Sequence, residues 1–293
     1  MGGTFTVVVY GADRTQVEGA AALALEEAVR LDQLLSNYKQ SSEWSTVNRE
    51  ARQRPTVISR ELFDLLAACK RYSEQSEGTF DITVGPLMRV WGFYKGSGKL
   101  PHRAEVREAL DKIGSGNIQL DAAGRTVRFS KPTLEMDPGG IGKGYAVDRM
   151  VEVLKQSKIT SAFISASGSS LYGLGQPPSE PRGWRVNIRH PREANKEIQE
   201  VFLRNESMST SGSQEKFFTA EGKVYSHIMD PRTGYPAQGR LQVSVVAPKA
   251  LDSEAWTKPI FIQGRQWAAQ HKPKGLRAYI CDDKRELSCA WLQ

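Results

Sequence analysis

Residues 136–150, MDPGGIGKGYAVDRM, crowd Gly139, Gly140, Gly142 and Gly144 around Lys143 and then turn helical, with Tyr145, Ala146, Val147, Met150 and Val151 at apolar helical positions. Bare backbone at the mouth of a helix suits a phosphate, because the first turn has unpaired N–H groups and the positive end of the helix dipole. It suits a tight turn into the helix equally well, since glycine permits both close approach and positive φ. The spacing matches neither a P-loop nor the GxGxxG dinucleotide fingerprint. What the rest of the chain places beside this stretch decides between the two.

Working outward, residues 4–10 alternate and are rich in valine, which predicts a strand. Residues 14–35 carry Val17, Ala21, Leu25, Ala28, Leu31 and Leu35 at helical spacing. The polar run SNYKQSSEWSTVN reads as a loop, and Ser59 as the cap of a second helix bearing Leu62, Leu65, Leu66 and Cys69. GTFDITVGPLMRVWGFY starts with a turn and runs into an apolar segment, followed by a Gly-rich loop at 95–101. Residues 104–113 read as a short helix, and NIQLDAAGRTVRFS as a hairpin turning at Ala123 and Gly124. Beyond the opening stretch, SAFISASGSSLYGLG, WRVNIRHP, EIQEVFLRNESMSTSG, KVYSHIMDPRTG and LQVSVVAP supply strands and turns. A helix is expected over 253–267, with Pro259 near its start, where proline is tolerated. LRAYICDD and LSCAWLQ would close a sheet. Strands and helices intermingle without the regular alternation of a doubly wound sheet, so the expected fold is α+β, one compact unit over residues 1–293.

The 293 residues suffice for one large domain or two average ones, and 39% hydrophobic with 25% charged residues is ordinary for a globular protein. A net charge of +7 is spread along the chain. Scattered Lys and Arg do not form a nucleic-acid stripe, and they suit an anionic small molecule. No apolar run approaches the roughly 18 residues of a membrane span. Because the chain opens on a strand pattern, a signal peptide is not expected within it. Cys69, Cys281 and Cys289 form no CxxC pair, which argues against zinc or a redox motif. Cys281 and Cys289 read as separate buried thiols, with a disulfide in an oxidising compartment as the alternative.

Three further segments carry more polar chemistry than simple turns need. In YSHIMDPRTGYP, residues 231–234 make a good turn, and His227 with Asp230 precede it; His227 is a candidate general base, or a structural strand histidine. In SMSTSGSQEKFF, Ser209, Thr210, Ser211 and Ser213 put hydroxyls beside Gly212, for a ribose or phosphate or as an ordinary polar turn. In DSEAWTKP, Glu254 and Lys258 share a helix face as a candidate ion pair, whose bland form is a surface salt bridge.

Together and in this order, MGGTFTVVVYG, LSNYKQSSEWSTVN, GTFDITVGPLMRVWGF, DPGGIGKGYAVD and HIMDPRTGYP resemble the ApbE family of FAD:protein FMN transferases over nearly the whole chain. The resemblance implies a single domain of mixed or antiparallel sheets with flanking helices. It implies FAD binding, Mg²⁺-assisted cleavage of the pyrophosphate, and transfer of FMN to a Thr or Ser hydroxyl of a partner protein, or hydrolysis of FAD to FMN and AMP. It also implies the periplasmic side of a bacterial envelope, with the membrane reached only through a removed lipoprotein signal. Under it, His227 fits the base. Met1, Tyr38 and Trp91 fall in segments that would pack against flavin or adenine. Gly139, Gly140 and Lys143 would lie near the phosphates, with Asp137, Ser169, Thr210, Ser211, Asp230, Arg232 and Thr233 completing the expected FAD contacts.

The sequence departs from the family at the metal. The family motif is approximately Ala-Asp-x-x-x-Thr, whose Asp and Thr help hold Mg²⁺. Without gaps, SEAWTK puts Ser253 at the Ala, Glu254 at the Asp and Lys258 at the Thr; a shift by one restores Thr257 but puts Ser253 at the acid. The gapless register is preferred because PIFIQG then meets a similar apolar run, which makes Glu254 the candidate metal ligand. Where the family has Asn-x-Gly-Gly-Asp, Ser165, Ser167 and Ser169 stand at the Asn, first Gly and Asp positions. Lys258 is accordingly expected either to neutralise the pyrophosphate in place of the metal, steadied by Glu254, or to point to solvent.

Overall fold

The computed structural model describes residues 3–96, 98–193 and 195–292. In chain order the strands are β1 (Phe5–Tyr10), β2 (Thr56–Val57), β3 (Ile118–Asp121), β4 (Thr126–Phe129), β5 (Ser161–Ala166), β6 (Ser170–Leu174), β7 (Trp184–Arg189), β8 (Glu197–Leu203), β9 (Glu206–Gly212), β10 (Phe217–Ala220), β11 (Lys223–Ser226), β12 (Met229–Asp230), β13 (Tyr235–Pro236), β14 (Arg240–Ala247), β15 (Arg277–Asp282) and β16 (Ser288–Trp291). The helices are α1 (Arg14–Leu35), α2 (Glu43–Glu50), α3 (Arg60–Gln75), α4 (Gly85–Val90), α5 (Arg103–Leu110), α6 (Gly142–Gln156), α7 (Ala250–Gln263) and α8 (Arg265–His271).

A seven-stranded sheet of order β1-β5-β6-β9-β14-β15-β16, with every neighbour antiparallel, forms the frame. Alternate residues of a strand point to opposite faces. On one face, Ala162 and Ile164 of β5 meet Ala20, Ala24 and Ala28 of α1 and Val147, Met150 and Val151 of α6. The same face continues through Val243, Val245 and Ala247 of β14 to Trp256, Ile260 and Phe261 of α7. The other face carries the β7–β8 ribbon, whose Val186, Ile188, Val201 and Leu203 pack against Leu171, Met208 and Val246. With both faces covered, β14 is buried along nearly its whole length. The small alanine face of α1 lets that helix lie close to α6. The architecture is α+β.

A satellite core under α2 and α3 joins Trp44, Val47, Leu62 and Leu66 to Val127 and Phe129 of the β3–β4 hairpin. Another gathers Leu87 and Trp91 with Val106 and Ala109 of α5. No helix among the described residues is long and apolar enough to cross a membrane.

Four local expectations are corrected. The run read as a loop contains α2, capped by Ser42 and pinned by the fully buried Trp44, whose Nε1 donates to the Met136 carbonyl at 3.0 Å. The expected helix over 253–267 is two helices, starting earlier at Ala250 and broken at Gly264, whose φ of 84° is in the left-handed region. Pro259 lies inside α7 and not near its start, so the helix forgoes the bond to the Ala255 carbonyl. Burial of Trp256, Ile260 and Phe261 on that helix outweighs the loss. Finally, Cys281 and Cys289 stand opposite each other in the β15–β16 ladder and are joined as a disulfide, not held as separate thiols; Cys69 alone remains free and buried.

Candidate active site

The glycine-rich stretch ends up in the wall of a cavity. Asp137 caps the tight turn Pro138–Gly140, its Oδ1 accepting from the Gly139 N–H at 2.6 Å. Tyr94 donates its hydroxyl to the same carboxylate. Burial raises the Asp137 pKa, against the pull of those two bonds. α6 then starts at Gly142, and the Lys143 Nζ in its first turn donates to Ser169 Oγ at 2.5 Å. Gly144 is where the helices touch: a Cβ there would stand 2.3 Å from the Ala250 carbonyl oxygen and 3.0 Å from the Glu254 Cβ. Only glycine allows that approach.

α7 closes the opposite wall. Its N-terminus is anchored by Asp148 of α6, whose two oxygens accept from the N–H groups of Ala250 and Leu251 at 2.7 and 2.9 Å. Glu254 Oε2 accepts from the Gly144 N–H at 2.5 Å. Lys258 does not ion-pair with that carboxylate as the sequence suggested. Its Nζ donates to two main-chain carbonyls, Glu254 at 3.0 Å and Gly140 at 3.4 Å. Neither residue is a surface group: Glu254 is buried and the Lys258 ammonium is desolvated, which lowers its pKa to about 8.

His227 stands on the third wall, in the segment that links β11 to β12. Its Nδ1 is 3.2 Å from the Lys216 carbonyl. A carbonyl only accepts, so Nδ1 carries the hydrogen and Nε2 is the basic nitrogen. Desolvation, followed by the charges of Lys258, Lys216 and Lys143, lowers the His227 pKa to about 4. The ring is therefore neutral at physiological pH and able to take a proton.

The cavity thus brings together Asp137, Gly139, Gly140, Lys143, Ser169, Thr210, Ser211, His227, Glu254 and Lys258 of the residues picked from sequence. Other expected contacts lie elsewhere. Trp91 is fully buried among Phe218, Tyr225 and Tyr235, with its Nε1 donating to the Gly234 carbonyl at 2.8 Å, so its ring belongs to the core. Asp230, Arg232 and Thr233 build the turn that seats Pro231 on the cavity wall: Arg232 Nη2 meets Asp230 Oδ2 at 2.9 Å, and the Gly234 N–H closes on the Asp230 carbonyl at 2.8 Å. Tyr38 is 70% exposed, its ring edge-on to Tyr94 at 6.4 Å, which puts an open aromatic face next to the Asp137 side of the cavity. Met1 lies outside the described residues.

The structure adds Glu215, whose carboxyl pKa is raised by burial, and an apolar side made by Phe80, Ile82, Val84 and Met88. Glu215 lies near the end of the largely polar run at 207–216, and its position in that run was its only sequence signal.

Comparison with known proteins gives this cavity its context. The ApbE family model matches residues 1–280. A Klebsiella pneumoniae protein named FAD:protein FMN transferase is 30% identical over 303 residues, covering 100% of this chain and 85% of its own. An Escherichia coli K12 protein of the same name is 30% identical, over 89% of this chain and 76% of its own. The chain belongs to the ApbE family. Among solved ApbE structures, the Thermotoga maritima ApbE protein superposes with a TM-score of 0.89 at 28% identity, covering 99% of this chain and 94% of that one. The Pseudomonas stutzeri flavinyl transferase ApbE, in its apo form, gives 0.87 at 25% identity, over 100% and 92%.

Within this ApbE chain the two candidate registers of the C-terminal motif separate cleanly. Glu254 and Lys258 line the cavity. Ser253 Oγ is instead 2.8 Å from both Ser207 and Ser209, and Thr257 Oγ1 accepts from Ser211 at 2.8 Å. The side chains that face the site are those of the gapless register. They do not suit a divalent ion. The Glu254 carboxylate is engaged by Gly144, an ammonium sits beside it, and no group of three or more His, Cys, Asp or Glu among the described residues is arranged to hold a metal.

Proposed function

We propose that this chain binds FAD and transfers its FMN part to a Thr or Ser hydroxyl of an acceptor protein. The observation that carries the reading is the juxtaposition, in one cavity, of a neutral imidazole with a basic Nε2 and two ammonium groups beside a glycine turn. In the step proposed, the acceptor Oγ attacks the flavin-side phosphorus, the phosphorus–oxygen bond to AMP breaks, and AMP departs with the bridging oxygen. His227 Nε2 takes the hydroxyl proton. Lys143 and the N–H groups of the turn face the charge that builds on the phosphate oxygens. Water in place of the acceptor hydroxyl would give FMN and AMP. The relatives' printed name, FAD:protein FMN transferase, supports the reading.

A second reading, a flavin-binding member with weak or no transfer, is favoured by the residues' poor fit to Mg²⁺. One assay separates the two. Protein is mixed with FAD and a domain bearing an acceptor Thr, with EDTA or with added metal. FMN on the acceptor, or AMP released, supports the enzyme; stoichiometric FAD with neither product supports the binder. His227→Ala is expected to lower transfer by about 10²–10⁴-fold while FAD still binds. Because His227 is neutral down to about pH 4, the acid limb of kcat/KM is expected near that value and not near 6.5. Full turnover by His227→Ala would remove the residue from the mechanism.

We also propose the outer, oxidising side of the bacterial envelope as the place of action, with any membrane attachment through a lipoprotein signal. The Cys281–Cys289 disulfide supports an oxidising compartment. Alkylation of these cysteines in unreduced envelope fractions would count against it.

A further inference from the structure

We infer that Lys258 and Lys143 form a built-in cation site that takes the place of a divalent ion, so that a pyrophosphate ligand binds this cavity without metal. The inference deepens the flavin-transfer reading and rests on it.

Lys258 sits as a cation against two main-chain oxygens. Its Nζ donates to the main-chain carbonyls of Glu254 at 3.0 Å and Gly140 at 3.4 Å. An ammonium has three donors, so one remains for a ligand. The stem passes close to the glycine turn: a Cβ on Gly140 would stand 3.6 Å from Lys258 Cε. Main-chain oxygens hold this charge in place, and no carboxylate of the described residues hydrogen-bonds to it. Glu254, one turn back on α7, is directed to the Gly144 N–H instead. Asp137 is likewise committed, to Gly139 and Tyr94. Lys143 is held from the other side by the neutral hydroxyl of Ser169.

Lys143 and Lys258 bring two ammonium charges on fixed side chains, in a cavity they share with Glu215, whose carboxyl pKa burial raises, and with Glu254, whose carboxylate is engaged by the Gly144 N–H. A Mg²⁺ that took the two carbonyls now held by the Lys258 ammonium would have to displace it. The two cations exclude each other. The outer phosphate charges of a dinucleotide therefore meet lysine.

The test is FAD binding, followed by flavin fluorescence, in EDTA and in millimolar Mg²⁺. Wild-type affinity is expected to differ by less than about twofold between the two. Lys258→Met is expected to weaken binding by about tenfold or more in EDTA, the scale of a hydrogen bond to a charged group, with no rescue by Mg²⁺. Lys258→Asp, checked for folding by circular dichroism, is expected to make binding metal-dependent. A wild-type affinity that Mg²⁺ tightens by about tenfold, or a folded Lys258→Met that binds like wild type in EDTA, overturns the inference. If FAD binds in neither condition, the flavin reading fails; ADP, which carries a pyrophosphate without flavin, then decides the lysine inference by the same comparison of wild type with Lys258→Met.

Discussion

Along α7, Ser253 and Thr257 face a row of serines on β9, whereas Glu254 and Lys258, each one residue further on, face the glycine turn and the cavity. Both pairs are four apart, so each forms its own stripe, about 100° from the other around the helix. The first stripe is neutral and satisfied by hydroxyls: Ser253 meets Ser207 and Ser209, and Thr257 meets Ser211. It docks the helix on the sheet. The second stripe carries charge, and its partners are main-chain atoms of the glycine turn and of α6 and α7. A single turn of helix thus divides anchoring from ligand chemistry, and substitutions on the two stripes should be read by different measurements.

The largest effect is expected where the charged stripe meets α6. Gly144→Ala places a methyl 2.3 Å from the Ala250 oxygen, so the two helices must part. A loss of about 3 kcal/mol or more in a denaturant melt is expected, together with loss of FAD binding. A variant as stable as wild type would mean that the helices are not in close contact there. On the neutral stripe, Ser253→Ala removes the hydroxyl shared by Ser207 and Ser209 and is expected to cost about 1 kcal/mol, leaving FAD affinity unchanged. A drop in affinity without a drop in stability would erase the division between the stripes.

A third effect, read as a slope with pH, concerns the end common to both. Burial raises the Asp148 pKa from 3.8 to about 6, against its bonds to Ala250 and Leu251. Folding therefore favours the protonated acid. Its contribution is complete below 3.8 and is lost as pH rises through about 6. Asp148→Asn keeps one acceptor for the helix end and is expected to flatten that part of the stability–pH profile, seen as melting temperatures at pH values on either side of the range. An unchanged slope would assign the dependence to other groups.

Much of this frame was legible in the residues. Apolar spacing gave the bounds of α1, and Ser59 marked the start of α3. The strands flanking Ala123 and Gly124 paired as read. α2 escaped because EWSTVNRE is mostly polar, and it is held by one buried tryptophan that periodicity does not weigh. The cysteine pair depends on the register between β15 and β16, which only the folded ladder sets. At the site, residues whose backbone makes the cavity were legible as a cluster, the glycine turn above all. Trp91 was not, because an aromatic in a signature segment serves a ligand or a core according to what packs on it. The direction of Lys258 was also hidden. Sequence spacing offered Glu254 as its partner, and the fold gave that carboxylate to Gly144.

β1 and β16 sit at opposite edges of the main sheet, separated by six inter-strand steps. At about 4.8 Å per step they lie about 29 Å apart. A circular permutant would need about nine extended residues merely to cross the sheet between them. The two edges are also held differently. β16 is bonded covalently to β15 through Cys281 and Cys289, while β1 is held by its ladder to β5 and by α1. While that bond is intact, tension applied along the chain cannot part Cys289 of β16 from Cys281 of β15, whereas the β1–β5 ladder has no covalent tie among the described residues.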